Sequence, residues 1–465
     1  MLIRSLLLFT VISVIAVSGC MDSGSHTVQI ESRPLGQEFT NFRPPNRLPT
    51  TVSDPPEITE PNGVITLRQA LALALMHNPG LRAFSWEVRA SEARTLQAGL
   101  LPNPVIEVEV EEVGGAGARS GFDGAETTIQ FGQLIELAGK RPKRERLASL
   151  EGELAGWDYE ARRLDVFTEV SLAFIGVLAA QERLTLAEEL VRLSEEVMDT
   201  VAQRVGAGKD SPVDKTKAQV ALAGARIEQK RAHQRLVAAR RQLAATWGSI
   251  SPVFEGVSGQ LGVTFPIPSE AELRRLLEEN PDLARWTVEM ESRRAALELE
   301  KANAITDPVI FGGVQRFNEV DDTAVVFGLS IPVPAFNRNQ GRILEAKYNL
   351  ARAREQRGAV EANLYATLAD TYQALSSAFI EETDLRNEVL PGAESAFEAA
   401  RRGYREGKFD YLTVLDAQRT FFHARARYIE SLVAYHKARA DVERLIGQDL
   451  DGVKNPLETK VQENK

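Results

Sequence analysis

The sequence predicts a mainly α-helical chain with transmembrane β-strands, built from long antiparallel coiled-coil helices and four strands per subunit. Three observations carry this. Two proline-poor stretches are far longer than a globular helix, four short segments alternate apolar and polar residues, and the two halves of the chain repeat one another.

The 465 residues exceed one ordinary core. A net charge of -10 excludes the basic surface that nucleic acid would need, so nucleic acid is not expected as a partner. No apolar run reaches the roughly 18 to 20 residues of a membrane-spanning helix, which leaves strands as the membrane part.

At the N-terminus Arg4 precedes an apolar stretch from Leu6 to Val17, which suits a signal peptide over residues 1–19. It ends in Val17-Ser18-Gly19-Cys20, which resembles the bacterial lipobox, so Cys20 is the expected lipidation site. It is the only cysteine, which rules out a disulfide framework within the subunit. An ordinary signal peptide that removes Cys20 is the alternative. Residues 20–62, with Pro44-Pro45 and Pro55-Pro56, read as a lipidated extended leader that drapes rather than packs.

Residues 63–250 then form a first repeat and residues 269–447 a second, joined by a linker at 251–268 and followed by a tail at 448–465. Four collinear matches define the repeat, whose period is about 200 residues. HNPGLRA from His77 matches ENPDLAR from Glu279, and LLPNPVIEVEV from Leu100 matches AITDPVIFGGV from Ala304. TIQFGQLIELAGKRPKR from Thr128 matches VVFGLSIPVPAFNRNQGR from Val325, and RVGAGKDSP from Arg204 matches GYREGKFDY from Gly403.

Each half reads as helix, two strands, long helix, turn, helix. Ile106, Val108 and Val110 alternate with Glu107, Glu109 and Glu111, so apolar side chains take one face and carboxylates the other. Ile129, Phe131, Ile135 and Leu137 continue the apolar face in the next strand. Val309 and Phe311, then Val325, Phe327, Leu329 and Ile331, are expected to do the same in the second half. Segments of about 9 to 11 residues cross a bilayer as tilted strands. Between Lys143 and Val205 no proline occurs, which gives a helix of roughly 90 Å. Phe167, Val170, Phe174, Val177, Leu184, Leu186, Leu190, Leu193, Val197 and Val201 supply its coiled-coil seam. Gly206, Gly208 and Pro212 end it, and Val213 to Trp247 return. Gln340 to Arg405, a break at Gly407, and Tyr411 to Ile446 repeat the plan, with Pro391 expected to kink the outgoing arm.

Four strands cannot close a barrel, and open edges in lipid leave backbone groups unsatisfied, so the subunit must assemble. Two copies would give a filled eight-stranded barrel and three a twelve-stranded one with a lumen.

These segments resemble the TolC-like outer membrane factors, in particular the CzcC-like branch associated with heavy-metal cation efflux. The residues that carry the resemblance are NPGLRA, LLPNPVIEVEVE, ELAGKRPKR and VLPGAESAFEAARRGYREGKFDYLTVLDAQRTFFHAR, within residues 64 to 447. The resemblance implies a lipid-anchored homotrimer in the outer membrane, with a 12-stranded barrel and a helical tunnel in the periplasm. It implies a periplasmic adaptor (membrane fusion) protein and an inner-membrane pump of the resistance-nodulation-division type as partners. It also implies a periplasmic gate at Tyr404 and Asp416. Phe409 and Thr413 depart from the family's gating arginine and second aspartate.

No enzyme chemistry or cofactor is expected. His26, His77, His233, His423 and His436 show no i, i+4 pairing and no cysteine companions, so no metal site is assigned. Glu107, Glu109 and Glu111 could line the pore and favour cations. Type I secretion or multidrug efflux remains an alternative cargo, and a non-pore periplasmic coiled-coil scaffold or adaptor remains an alternative of another class.

Overall fold

The computed structural model describes residues 34, 35, 39, 43 and 58–452, so Cys20 and the signal segment lie outside the described residues. The first part of the chain runs β1 (Val64–Thr66), α1 (Leu67–His77), α2 (Pro79–Ala98), β2 (Val105–Glu111), β3 (Glu126–Leu134), α3 (Lys140–Gly206) and α4 (Pro212–Ala245). After β4 (Gly256–Ser258) come α5 (Glu270–Leu277), α6 (Pro281–Asn303), β5 (Val309–Phe317), β6 (Asp322–Ser330) and α7 (Gln340–Asp384). A π-helical segment (Leu385–Val389), α8 (Leu390–Arg405) and α9 (Tyr411–Ile446) complete it. The segment read as a plain linker thus carries β4, which pairs in parallel with β1 from Val64↔Gly256 to Thr66↔Ser258.

Contacts divide the chain into two compact units. One comprises residues 88–156 and 288–353 and holds the four-stranded sheet. Its order is β2-β3-β5-β6, with every neighbour antiparallel, which leaves β2 and β6 as edges. The registers align Val108, Ile129, Val314 and Val325 in one row, and Ile106, Phe131, Gly312 and Phe327 in another, on the same face. All of these but Gly312 and Val314 were expected there from the alternation. β5 departs from expectation: Val309 and Phe311 fall on the opposite face, and its apolar-face positions are Ile310, Gly312 and Val314. Phe311 lies across its ladder partner Gly328, where a Cβ would overlap the ring. Glycine at 328 is what makes room for an aromatic ring on the carboxylate-bearing face. Ile135, Leu137 and Ile331 stand just beyond the strands.

The other unit comprises, of the described residues, 34, 35, 39, 43, 58–87, 157–287 and 354–452. Along α3, Val170, Phe174, Val177, Leu186, Leu193, Val197 and Val201 are buried in one core, with Phe167 and Leu190 partly buried against it. Leu184 stands outside that core, one face round from Leu186. A window of α3 has mean hydropathy 1.5 and could span a membrane by length and composition, contrary to the sequence reading, but 44% of it is buried in the protein. Its apolarity serves the helix seam. On α4, Ala218, Ala225 and Ala232 recur at seven-residue spacing and are all buried, small side chains that let the return helix approach closely. A second core gathers Leu273, Leu277, Leu368, Leu375, Tyr435, Val442, Leu445 and Ile446. Each fully buried leucine here stabilises the fold by about 1.5 to 3 kcal/mol.

The leader packs where it is described. Leu35 is buried, its amide donates to the Gly447 carbonyl at 3.0 Å, and its carbonyl accepts from Arg163 at 2.7 Å. Phe39 lies against Phe167 at 6.3 Å between ring centroids. The expectation of a draped segment missed these two apolar anchors among its prolines and polar residues.

The two Asn-Pro pairs of the repeat explain themselves structurally. Asn78 caps α2 by accepting from the Leu81 amide at 2.9 Å, and its own amide donates to the Thr246 carbonyl at the end of α4. Pro79 and Pro281 occupy the first helical turn, where a missing N–H costs nothing. Pro391 acts differently: lacking an N–H, it cannot satisfy the Asn387 carbonyl, and the helix widens over Leu385–Val389 so that the Leu390 amide donates to Leu385.

Candidate functional site

The two helix-hairpin turns are built alike. At the first, Gly208 takes φ +68°, and Ser211 caps α4 by accepting from the Val213 amide at 3.2 Å. At the second, Gly407 takes φ +78°, and Asp410 caps α9 by accepting from the Thr413 amide at 2.9 Å. The Thr413 hydroxyl donates to the same carboxylate at 2.5 Å. These hydrogen bonds, the side-chain one first, hold the Asp410 carboxyl below its ordinary range. Phe409 covers Gly403, where a Cβ would overlap its ring. The two positions at which the chain departs from the resembling family therefore serve the turn itself, Thr413 by donating twice to the capping Asp410 and Phe409 as a lid over Gly403.

Tyr404 is 2% exposed, and its hydroxyl donates to the Asp210 carboxylate. Arg204 grips the same carboxylate with two hydrogen bonds, 2.8 and 3.0 Å long. It also donates to the Tyr404 carbonyl at 3.1 Å, and its guanidinium lies 4.6 Å from the Tyr404 ring centroid. Tyr411 packs on Tyr404 with ring centroids 6.3 Å apart. The Arg204 hydrogen bond, then that of Tyr404, hold the Asp210 carboxyl below the usual carboxylate range. Burial, and then the bond to Asp210, push the Tyr404 hydroxyl well above its ordinary value. In the aligned turn segments Val205 stands opposite Tyr404, so the first turn has no second tyrosine. The partners of Tyr404 are there: Arg204 and Asp210, both inside the RVGAGKDSP segment that had served only to align the repeat.

Asp416, the other expected gate residue, is not part of this knot. It is exposed on α9 and has no hydrogen bond or ion pair among the described residues. Tyr404 and Asp416 are thus not brought into contact within one subunit.

In the sheet, Glu107, Glu109 and Glu111 share one face and are exposed. Glu107 accepts from Gln130 at 2.7 Å. Glu126 lies directly opposite Glu111 on β3, and accepts from Gln315 at 2.8 Å. Asp322 falls on the same face. Glu126 and Asp322 escaped the sequence reading because their neighbours are polar or small and no strict alternation marks them. Opposed like charges destabilise a strand pair, so this end of the sheet carries its acidic residues at some cost to folding. Among the described residues no group of three or more His, Cys, Asp or Glu is placed to hold a metal ion.

A family profile described as outer membrane efflux protein matches residues 70–249 and 273–448. The cobalt-zinc-cadmium resistance protein CzcC of Cupriavidus metallidurans is 36% identical over 389 residues, covering 84% of this chain and 91% of that protein. The nickel and cobalt resistance protein CnrC of the same organism is 26% identical over 300 residues, covering 64% of this chain and 70% of that one. The crystal structure of the open state of the Neisseria gonorrhoeae MtrE outer membrane channel superimposes with a TM-score of 0.69 at 16% identity, covering 91% of this chain and 98% of that chain.

Proposed function

Because the chain belongs to the outer membrane efflux protein family, we propose that it forms the passive exit duct for heavy-metal cations in a tripartite efflux system. It is an outer-membrane channel protein whose tunnel extends into the periplasm, a duct rather than an enzyme. On this reading three copies assemble, whose twelve strands close a barrel with a lumen. The partners on this reading are a periplasmic adaptor protein and an inner-membrane pump of the resistance-nodulation-division type, with Cys20 as a lipid anchor in the outer membrane.

The observation that carries the cargo is the 36% identity, across most of both chains, to a protein named for cobalt, zinc and cadmium resistance. The acidic face of the sheet supports it. Turned toward a lumen, Glu107, Glu109 and Glu111, with Glu126 and Asp322, concentrate cations and repel anions. The gate on this reading includes Tyr404, whose knot to Arg204 and Asp210 ties the two hairpin turns of one subunit together, and Asp416, whose exposed carboxylate contributes to a ring of three in the assembly.

Removing the chain from its host should raise cell-associated cobalt, zinc or cadmium and sensitise growth to those ions, measured by elemental analysis of washed cells. Unchanged metal content with new sensitivity to organic drugs would overturn the cargo.

A further inference from the structure

The edges of the sheet carry more information than the need to assemble. We infer that β6 of one copy pairs with β2 of the next in the register that β3 already uses with β5, and that Asn103 accepts the backbone amide of Val333 from the neighbouring copy. This rests on the trimeric-channel reading.

With four antiparallel strands, β2 and β6 run in opposite directions, so head-to-tail joining of copies gives a fully antiparallel barrel. The repeat then makes the join between copies equivalent to the join inside the chain. Phe131-Gly132-Gln133-Leu134 corresponds to Phe327-Gly328-Leu329-Ser330, and Asp307-Pro308-Val309 to Asn103-Pro104-Val105. Inside the chain Phe131 pairs with Gly312, Ile129 with Val314 and Gln133 with Ile310. Transferred, Phe327 pairs with Val108, Val325 with Val110 and Leu329 with Ile106.

The two faces of the sheet agree with this register. All six residues lie on the apolar face of the sheet, and Val326 and Gly328 meet Glu109 and Glu107 on the other. A slip of one residue would set each apolar side chain against a carboxylate position.

The contacts just beyond the strands transfer as well. Inside the chain the Ile135 amide donates to the Pro308 carbonyl at 2.9 Å, and the Leu137 amide to the Asp307 carboxylate at 2.8 Å. Their counterparts are Ile331 with Pro104 and Val333 with Asn103. Asn103 is exposed with no hydrogen bond among the described residues, and Val333 is 82% exposed. Asp307 is also held by Lys140, the first residue of α3, at 2.6 Å. At the join between copies both members of that ion pair are replaced by neutral amides, Gln340 at the start of α7 and Asn103 before β2. An amide oxygen still accepts the backbone N–H and leaves no carboxylate without its cation.

Paired cysteines in the full-length chain test the register. Val108 and Phe327 lie on opposite edges of one sheet, three strand spacings apart and two residues out of row, roughly 16 Å, too far for a disulfide within a copy. Val108→Cys with Phe327→Cys, and Ile106→Cys with Leu329→Cys, should each give covalent trimers on mild oxidation of outer-membrane extracts. The two-residue slips, Val108→Cys with Leu329→Cys and Ile106→Cys with Phe327→Cys, should cross-link several-fold less, and each single cysteine not at all. Heat-resistant trimers that cross-link best in the slipped pairs, or in none, overturn the register and leave the channel standing. Monomers in every variant and in the unsubstituted protein overturn the trimeric reading as well.

Discussion

The side-chain amide of Asn280 donates to the carbonyl of Leu445 at 2.7 Å, although 165 positions separate them in the chain. Its carbonyl oxygen meanwhile accepts from the Asp282 amide at 2.7 Å, so one fully buried side chain starts α6 and secures the end of α9. Replacing Asn280 with Ala leaves the Leu445 carbonyl and the Asp282 amide unpaired, and should destabilise the fold by about 1 to 3 kcal/mol. Asn78→Ala should act similarly, with Asn280→Ala the more damaging because Asn280 is the more buried. Thermal unfolding followed by circular dichroism measures both.

Tyr404→Ala removes both the ring under Arg204 and the hydroxyl on Asp210. If this knot holds the tunnel closed, the variant should raise closed-state conductance in planar bilayers several-fold. Tyr404→Phe keeps the ring and should fall between the variant and the native protein. Conductance unchanged in Tyr404→Ala would remove the residue from the gate.

The same knot should respond to acid. The folded-state pKa of Asp210 lies below its ordinary value, so its contribution is complete above the unfolded pKa of about 3.9 and is lost as pH falls through the lower folded value. Conductance should therefore stay flat from neutral pH down to about 4 and rise below it. Asp210→Asn should abolish the rise while leaving the channel leaky throughout. A transition centred near neutral pH would point to another group.

Neutralising the acidic face should weaken cation preference. The triple variant Glu107→Gln, Glu109→Gln, Glu111→Gln keeps the shape and size of each side chain and removes three charges per subunit. Its reversal potential under a salt gradient should move toward zero relative to the native channel. Anion preference in the native channel would show that these carboxylates do not set selectivity.

Much of this architecture was legible from residue patterns, for identifiable reasons. Ile106, Val108 and Val110 alternate without interruption, and the strand lies where they put it. β5 was misread across its faces because Gly312 and Gly313 supply no side chain to fix the phase, leaving Val309 and Phe311 as the apparent guide. Leu184 was assigned to the seam because it stands one heptad after Val177, whereas the buried row continues at Leu186, two places further on. The Tyr404 partners were invisible for a different reason. A hydrogen bond between positions 194 apart leaves no periodic trace, and only folding two similar turns side by side brings Asp210 to Tyr404.

The widened turn at Leu385–Val389 has a consequence for how this chain tolerates changes in length. In a regular helix, losing one residue swings everything downstream by about 100° and would turn a coiled-coil seam away from its partner. Here the helix already holds one residue more than a regular turn needs. Losing a residue from this stretch, with Pro391 also replaced by a residue that has an N–H, would tighten it to an ordinary helix and leave Phe397 and Tyr404 facing as before, whereas the same loss within α3 would rotate its buried face out of register. The rod therefore has one place where its reading frame of turns can be edited without scrambling the message beyond it.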